Sequence, residues 1–415
     1  MKKYNYILSV MVLFTSWCSF GMKQVRIACA GGNSNIQFLS CEKDDASKIQ
    51  YAKEELSEKA SILKFDKESG LLFTGQFTVV TVWKVKDGKP EIFQRLEDKP
   101  LNMFDGVLSL AFDRKRGFLF SCFGSGTLQI HKRDKETGKF ELFQNICFED
   151  DGVWGLRTIA FDKKNELLAC GFEDGIIKIL ELNEMECNDF SGNFEAFTCL
   201  QTLNEQSDSH TGSVATVLFD ENGFLFSGSS KIKVWEKVEN KFKCIATLGE
   251  ARGAILSLVT ISDSLFASGN YTGEICIWKK DQESSSLQWK CIQRLDDVNG
   301  MIKALAFDKK TAQLFAGAKG VMSGSGSSLN VFTMNEENQF AFVGAKKFPG
   351  DRLRSLVILD EDDEDAEMAI IDEKERISFI TENIAEGEAF EGVEKMTFKF
   401  GQGKSFVVST ISLLL

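Results

Sequence analysis

Short apolar runs separated by turn residues recur along nearly the whole chain. The clearest copy of this unit is His210 to Trp235, in which Val214 to Phe219, Phe224 to Ser227 and Ile232 to Trp235 are three such runs. Asp220 to Gly223 supplies a turn between the first two. Runs of about four to eight β-branched, aromatic and aliphatic residues, bounded by Asp, Asn and Gly, are typical of β-strands. The pattern therefore predicts a three-stranded antiparallel meander.

The same unit can be followed along the chain by the residue that ends its first strand. These anchor residues, spaced 41 to 58 positions apart, are Phe65, Phe112, Phe161, Phe219, Thr260, Phe307 and Ile358. Asp follows five of the seven and is expected to open a tight turn, in which its carboxylate accepts a backbone N–H. Each turn leads to a second apolar run, a corner and a third run, and six units add a weaker fourth run. Four antiparallel strands per period are typical of a β-propeller blade.

The two ends of the chain supply the pieces of one further blade. Arg26 to Ala30 and Ile36 to Phe38 read as second and third strands, and Phe406 to Ile411 reads as a first strand without successors. Pairing the N-terminal strands (about residues 25–50) with the C-terminal strand (about 405–413) would close the ring and leave no exposed sheet edge. The sequence thus predicts one domain over residues 22–415, an all-β closed β-propeller of four-stranded antiparallel blades. Eight blades are favoured, and seven are the alternative if a terminal hairpin overlaps its neighbour.

These motifs resemble the WD-repeat β-propeller family, although each copy is degenerate. His210-Thr211-Gly212-Ser213-Val214 looks like the end of the family's Gly-His segment, and Asp174 lies in a corner like the family's corner between second and third strands. Third strands end on the family's Trp at Trp83, Trp235 and Trp278. The family's next residue, Asp, is replaced by Lys84, Glu236 and Lys279, and its buried set of His, Ser or Thr, Asp and Trp is complete in no unit. We interpret these His, Asp and Trp residues as structural repeat positions, and expect packing of Phe, Leu and Val to supply most of the blade stability.

The first 21 residues have the layout of a secretory signal peptide. Lys2 and Lys3 precede an apolar stretch from Ile7 to Phe14, and Ser19-Phe20-Gly21 places small residues at the −3 and −1 positions of a cleavage site. The apolar stretch is too short to span a bilayer comfortably, and no later stretch reads as a membrane span. We therefore expect an exported protein, periplasmic or secreted, and a cytoplasmic one if the segment is not cleaved.

Composition narrows the chemistry that the chain can perform. A formal net charge of −12 argues against binding by phosphate neutralisation, so no nucleic-acid partner is expected. The only two histidines, His131 and His210, occupy repeat positions, which argues against a His-based triad or metal site. No CxxC pair occurs, and Cys199, Cys244 and Cys291 share one repeat position that suits structural thiols. No catalytic residue, metal or cofactor is therefore predicted.

Two further segments have polar groups that could hold a ligand, but their patterns favour structural roles. Gly317 to Ser328 is rich in Gly and Ser, yet no helix pattern follows it, as phosphate-binding loops require. Asp360 to Asp365 gathers six carboxylates, but their spacing lacks the alternating ligands and central Gly of a calcium loop. We interpret the first as a corner between strands and the second as a solvated acidic turn, whose capacity to bind a cation the sequence leaves open.

A candidate binding site emerges at the position four residues before each anchor. The aligned residues are Ser61, Leu108, Arg157, Ala215, Leu256, Lys303, Arg354 and, in the terminal strand, Val407. The WD-repeat resemblance implies that this position lies at the top face, where the innermost strand starts beside the central channel. Our hypothesis is that Trp154, Arg157, Lys303 and Arg354 bind an acidic segment or an anionic group at this face. The alternative is that they are scattered charges in local salt bridges.

The resemblance implies a non-catalytic scaffold that binds a protein or peptide. The innermost strands read Val-Leu-Ser-Leu-Ala-Phe, Leu-Arg-Thr-Ile-Ala-Phe and Ile-Lys-Ala-Leu-Ala-Phe, without the recurrent Asp, Glu, Asn or His of a catalytic channel. The alternative is an exported propeller enzyme of the hydrolase or lactonase kind, with its site in the central channel. The fold by itself identifies no partner.

Overall fold

The computed structural model describes residues 24–31, 35–42, 49–86, 89–97, 106–148, 153, 155–183, 196–204, 209–249, 252–281, 288–296, 298–320, 326–348, 353–359, 396–400 and 404–408. The chain divides into two compact units, Lys23–Asp360 and Met1–Met22 with Glu361–Leu415. The first unit begins with the strands β1 (Gln24–Gly31), β2 (Asn35–Glu42) and β3 (Ile49–Lys59).

Six blades follow, each made of four consecutive antiparallel strands. The first two are β4 (Ile62–Asp66), β5 (Leu71–Gln76), β6 (Val79–Lys86) and β7 (Lys89–Leu96), then β8 (Val107–Asp113), β9 (Phe118–Phe123), β10 (Thr127–Arg133) and β11 (Phe140–Cys147). The next two are β12 (Leu156–Asp162), β13 (Leu167–Phe172), β14 (Ile177–Leu182) and β15 (Phe197–Leu203), then β16 (Thr216–Phe219), β17 (Leu225–Gly228), β18 (Ile232–Val238) and β19 (Lys241–Leu248). The last two are β20 (Ile255–Ser262), β21 (Leu265–Asn270), β22 (Ile275–Asp281) and β23 (Gln288–Leu295), then β24 (Met301–Asp308), β25 (Gln313–Lys319), β26 (Ser327–Met334) and β27 (Phe340–Phe348).

A further four-stranded sheet is composite and joins the two ends of the first unit. Its strand order is β28-β1-β2-β3, where β28 is Leu353–Leu359. The innermost strands β4, β8, β12, β16, β20, β24 and β28 contact one another in succession, and β28 contacts β4. The innermost strands therefore form a closed ring around a central channel.

The blade count predicted from the sequence is wrong. Six blades are built from consecutive strands, against the eight that were favoured and the seven given as the alternative. The closing partner also differs, because β1 pairs with β28 and not with the C-terminal strand. That strand, β30 (Lys404–Val408), forms a hairpin with β29 (Met396–Phe400).

The reason for this difference is chain connectivity. Because β28 follows β27 after a gap of four residues, it comes to lie beside β24, and its free edge accepts β1. The second and third strands predicted to follow it, Met368 to Ile371 and a run ending at Ile380, lie outside the described residues. So do the predicted signal peptide, residues 1–21, and the acidic run at residues 360–365.

The turns after the first strands form as the sequence predicts. All five Asp residues that follow an anchor accept a backbone N–H within their own turn. The Asp220 carboxylate, for example, accepts the N–H of Phe224 at 2.8 Å. Since this bond fixes the direction of the second strand, the Asp residues set where these five blades turn back.

The core lies between neighbouring blades and is rich in Phe. The ring of Phe73 in the first blade lies 4.9 Å from Phe112 and 5.8 Å from Phe140 in the second. The second strands β9, β13 and β21 are buried at every residue. Apolar burial of this kind is the main favourable contribution to folding, as the abundance of Phe predicts.

A repeated glutamine joins the outermost strands of adjacent blades. Gln293 on β23 donates its amide N–H to the Phe340 carbonyl and accepts the Phe340 N–H, both at 2.7 Å. The same two bonds link three further pairs, Gln94 with Phe140, Gln144 with Phe197, and Gln201 with Phe242. Each clamp satisfies two backbone groups of the next blade, and one such hydrogen bond typically contributes about 1 kcal/mol.

Candidate functional site

Five of the seven innermost strands share an irregularity close to their first residues. Their pairing register shifts by one residue, as between Leu156 and Thr158, so that Arg157 bulges out of the ladder. The residues bulged in this way are Leu108, Arg157, Leu256, Lys303 and Arg354. They are five of the residues aligned four positions before the anchors. A bulge redirects its side chain, and here it does so at one end of the channel.

This end is the top face, where first strands start and second strands end. Leu156 at the start of β12 pairs with Phe172 at the end of β13. Neighbouring blades have the same orientation, because the start of one blade bonds to the corner of the preceding one. The N–H of Val214, for example, donates to the Phe172 carbonyl at 2.9 Å.

Four cations converge at the top face, and they are called here the basic cluster. Its members are Arg157, Lys303, Lys319 and Arg354. Lys303 is half-buried, and this burial lowers the pKa of its ammonium group; repulsion from Lys319, Arg157 and Arg354 lowers the pKa further. Arg157, Lys303 and Arg354 are bulge residues at the starts of their strands and Lys319 ends β25, so all four charges lie at the top face.

Among the described residues, few carboxylates form ion pairs with the basic cluster. Arg157 Nη1 lies 2.9 Å from Glu173 Oε1, and both side chains are about half exposed. Among the residues that the structure describes, no carboxylate forms an ion pair with Lys303, Lys319 or Arg354. In the part of the chain that the structure describes, one member of the basic cluster therefore has a local salt bridge. Trp154 lies outside the described residues.

Two lysines near the channel were not found from the sequence. Lys319 ends β25 and pairs with Met301 beside the bulge at Lys303. Lys64 directly precedes the anchor Phe65. The residues that precede the seven anchors are Lys64, Ala111, Ala160, Leu218, Val259, Ala306 and Val357. Lys64 is accessible to solvent but surrounded by protein, and this desolvation lowers its pKa; Lys163 lowers it further, while Asp66 opposes the shift. Comparing aligned positions would have identified Lys64 as the only charged residue among the seven.

The His and Trp repeat positions form buried contacts within and between blades. The Trp235 indole N–H donates to Ser227 Oγ at 2.8 Å, and His210 Nε2 lies 2.7 Å from the same oxygen. Trp83 and Trp278 make the equivalent bond to Thr74 and Ser268. Asp174 is exposed in its corner, where its carboxylate accepts the N–H of Ile176 at 3.1 Å. His210, Ser227 and Trp235 therefore supply three of the four groups of the WD-repeat set, without the Asp.

The described cysteines have the properties of structural thiols. Cys199, Cys244 and Cys291 pair with Leu180, Trp235 and Trp278, which is one repeat position in three blades. Burial raises the pKa of the Cys170 thiol, and a hydrogen bond to Cys291 together with burial raises that of Cys276. Because the thiolate is the nucleophile, these shifts make both thiols poor nucleophiles at neutral pH.

The opposite end of the ring carries a groove of about 660 Å³. It is lined by turn residues that include Lys164, Asn222, Phe224, Asp263 and Lys280. Its charges are of both signs, so it has no preference for one class of ion. Among the described residues, no group of three or more His, Cys, Asp or Glu could hold a metal ion, and no helix could cross a membrane.

The fold matches several solved structures. A protein from Lactobacillus plantarum matches with a TM-score of 0.64 and 11% identity, over 81% of this chain and 100% of that one. A provisionally assigned 6-phosphogluconolactonase from Bacteroides fragilis matches with a TM-score of 0.63 and 9% identity, over 81% and 98% of the two chains. A chain of the mitotic checkpoint complex matches with a TM-score of 0.54 and 13% identity, over 71% and 82%.

These similarities establish the fold and nothing finer. No protein-family model matches the sequence, and no curated protein matches it either. At such low identities, the shared feature is the propeller of four-stranded antiparallel blades. The chain is an all-β propeller.

Proposed function

We propose that this chain is a divergent WD-repeat-type propeller, a non-catalytic scaffold whose top face binds an acidic segment of a partner protein. The observation that carries the proposal is the convergence of Arg157, Lys303, Lys319 and Arg354 at one end of the channel, in a protein of net charge −12. The similarity to a chain of the mitotic checkpoint complex, a protein assembly, agrees with a scaffold role.

The energetics of the basic cluster favour an anionic ligand. Burial lowers the pKa of Lys303 first, and repulsion from Lys319, Arg157 and Arg354 lowers it further, so the charged form of Lys303 is disfavoured in the free protein. A bound carboxylate removes the repulsion and adds charge-assisted hydrogen bonds. Arg157 and Arg354 are exposed, so a chain lying across the top face can reach both guanidinium groups. Guanidinium groups suit carboxylates because they donate two parallel hydrogen bonds.

Reversing two charges of the basic cluster should abolish binding of an acidic probe. We expect Arg157→Glu/Arg354→Glu to bind a fluorescein-labelled octaglutamate peptide about tenfold to a hundredfold more weakly than the unchanged protein, or about 1.4 to 2.8 kcal/mol. Fluorescence polarisation at low salt measures this. The matched control is Lys115→Glu/Lys290→Glu, which changes the net charge equally at exposed lysines elsewhere. Equal affinities of the two double variants would contradict the proposal.

Binding of the same peptide should weaken as the pH rises through the lowered pKa of Lys303. In the free protein that pKa lies below its ordinary value of 10.5, and a bound carboxylate raises it again. Binding therefore takes up a proton wherever Lys303 is partly deprotonated, so affinity is constant at lower pH and falls above the free-state pKa. Titrations between about pH 7 and pH 10 measure the profile. Lys303→Gln should bind the peptide more weakly at neutral pH, and its affinity should no longer fall as the pH rises. If its affinity falls as steeply as that of the unchanged protein, Lys303 is not the group that titrates.

A second candidate is a lactonase-like enzyme with its site in the channel. It is favoured by the similarity to the provisionally assigned 6-phosphogluconolactonase and by Lys64 and Lys303, whose lowered pKa values suit a base. Incubating the protein with 6-phosphogluconolactone and measuring ring opening tests it. Hydrolysis that is lost in Lys303→Gln or Lys64→Gln would establish the enzyme and overturn the scaffold proposal.

We also propose that the protein is exported after removal of residues 1–21. The support is the order of basic, apolar and small residues in that segment. N-terminal sequencing of the protein from its native cell tests this, and a chain that still begins at Met1 would contradict it.

A further inference from the structure

Two exposed apolar side chains lie together on the top face, and they are called here the apolar pair. Phe77 is in the turn between β5 and β6, with 63% of its surface exposed, and Leu108 is the bulged residue of β8, with 36% exposed. The N–H of Val107 donates to the Phe77 carbonyl at 2.7 Å, which joins the two segments. The corner of the first blade and the start of the second are therefore adjacent, and each carries one large exposed apolar side chain at the top face.

The conformation of Phe77 is unusual for a residue of its size. Its φ is +47°, in the left-handed region that Gly and Asn adopt more readily than bulky residues. It is also the most exposed large apolar side chain among the described residues. An aromatic ring that is held in a disfavoured backbone conformation and left in water contributes little to folding. Exposed aromatic groups of this kind are typical of the centres of protein interfaces.

The apolar pair lies between two members of the basic cluster. The innermost strands follow one another in the order β28, β4, β8 and β12. Arg354 is on β28, Leu108 is on β8 and Arg157 is on β12, and all three are bulge residues at the start of their strands. Going around the channel, an apolar patch is thus flanked by a guanidinium group on each side.

We propose that the top face recognises a partner segment in which a large apolar side chain is flanked by carboxylates. This inference rests on the proposed scaffold function and names the chemistry of its partner. The apolar pair contacts the apolar side chain, and Arg354 and Arg157 bind the carboxylates on either side. Electrostatic complementarity would orient the segment, while the apolar contact would distinguish it from other acidic chains.

The apolar contact should contribute about tenfold or more to affinity, because burying a large apolar side chain is worth more than one exposed ion pair. The probes are two labelled nonapeptides of eight glutamates, one with a central phenylalanine and one with a central glycine. We expect the unchanged protein to prefer the phenylalanine peptide by about that factor. Phe77→Asn should lose the preference and retain its affinity for the glycine peptide, since Asn tolerates a positive φ and keeps the corner intact.

The control is Phe342→Asn, which removes another exposed ring, on the outermost strand β27, and should leave the preference unchanged. Leu108→Ser, which keeps the bulge, should reduce the preference as Phe77→Asn does. Thermal unfolding of each variant verifies that it is folded. If the unchanged protein binds both peptides equally, the apolar pair has no role and the scaffold proposal stands. If it binds neither, both proposals fail.

Discussion

Trp235→Ala is expected to lower the free energy of unfolding by about 4 kcal/mol, the typical cost of removing a buried aromatic side chain. Trp235 is fully buried on β18 and packs with Leu167, Ala169 and Phe242 between two blades. Its indole N–H also donates to Ser227 Oγ, so its loss leaves a cavity and removes a buried hydrogen bond. The midpoint of urea unfolding, followed by circular dichroism, measures the effect.

Two milder variants separate the contributions to this loss. Trp235→Phe keeps most of the ring and removes the indole donor, and we expect it to cost about 1 to 2 kcal/mol. Ser227→Ala should cost a similar amount, because it removes the oxygen that Trp235 and His210 both contact. Val238→Ala, at a partly exposed position of the same strand, is the control and should change stability by less than about 1 kcal/mol. A Trp235→Ala variant as stable as the control would show that the repeat position is not structural.

Strands and turns could be predicted because their signals are local. The short apolar runs and the Asp after five of the seven anchors act within a few residues, and every described turn that contains this Asp forms as expected. The closure of the ring could not be predicted in this way. Leu353–Leu359 and the segment from Phe406 to Ile411 have similar apolar patterns, and β1 would suit either one. Which of the two segments pairs with β1 depends on the position of β28 beside β24, and that position is set by the assembled ring and not by the local sequence.

Part of the candidate site could likewise be predicted from the sequence, and part is visible only in the structure. Arg157, Lys303 and Arg354 share an aligned position, so comparing the repeats found them, and the structure places a bulge at each. Lys319 is at a different position of the repeat, the end of a second strand, and only the packing of β24 against β25 brings it to Lys303. Phe77 reads as an ordinary turn residue in the sequence. Its exposure and its positive φ are visible only in the folded corner.

Gly175→Ala is expected to lower the free energy of unfolding by about 3 kcal/mol or more, because the corner beside Asp174 leaves no room for a Cβ atom. Gly175 has a φ of +90°, and a Cβ built there would clash with the carbonyl oxygen of His210. Ser209 Oγ donates to the Gly175 carbonyl at 2.7 Å, so the corner cannot move away without breaking a buried bond. The clash lies where one blade meets the start of the next.

Gly106→Ala is the matched control, since a Cβ at Gly106 has no atom within 4 Å and its φ is not positive. It lies at an equivalent junction, before β8, and should change stability by less than about 1 kcal/mol. Urea unfolding of the two variants under the same conditions compares them directly. Gly175→Ala should be clearly less stable than Gly106→Ala, because a Cβ at Gly175 meets backbone atoms, which cannot rotate aside as a side chain can. If Gly175→Ala and Gly106→Ala are equally stable, the backbone at the junction between blades can shift to accept the Cβ atom. The top face would then be less rigid than a preformed binding site requires.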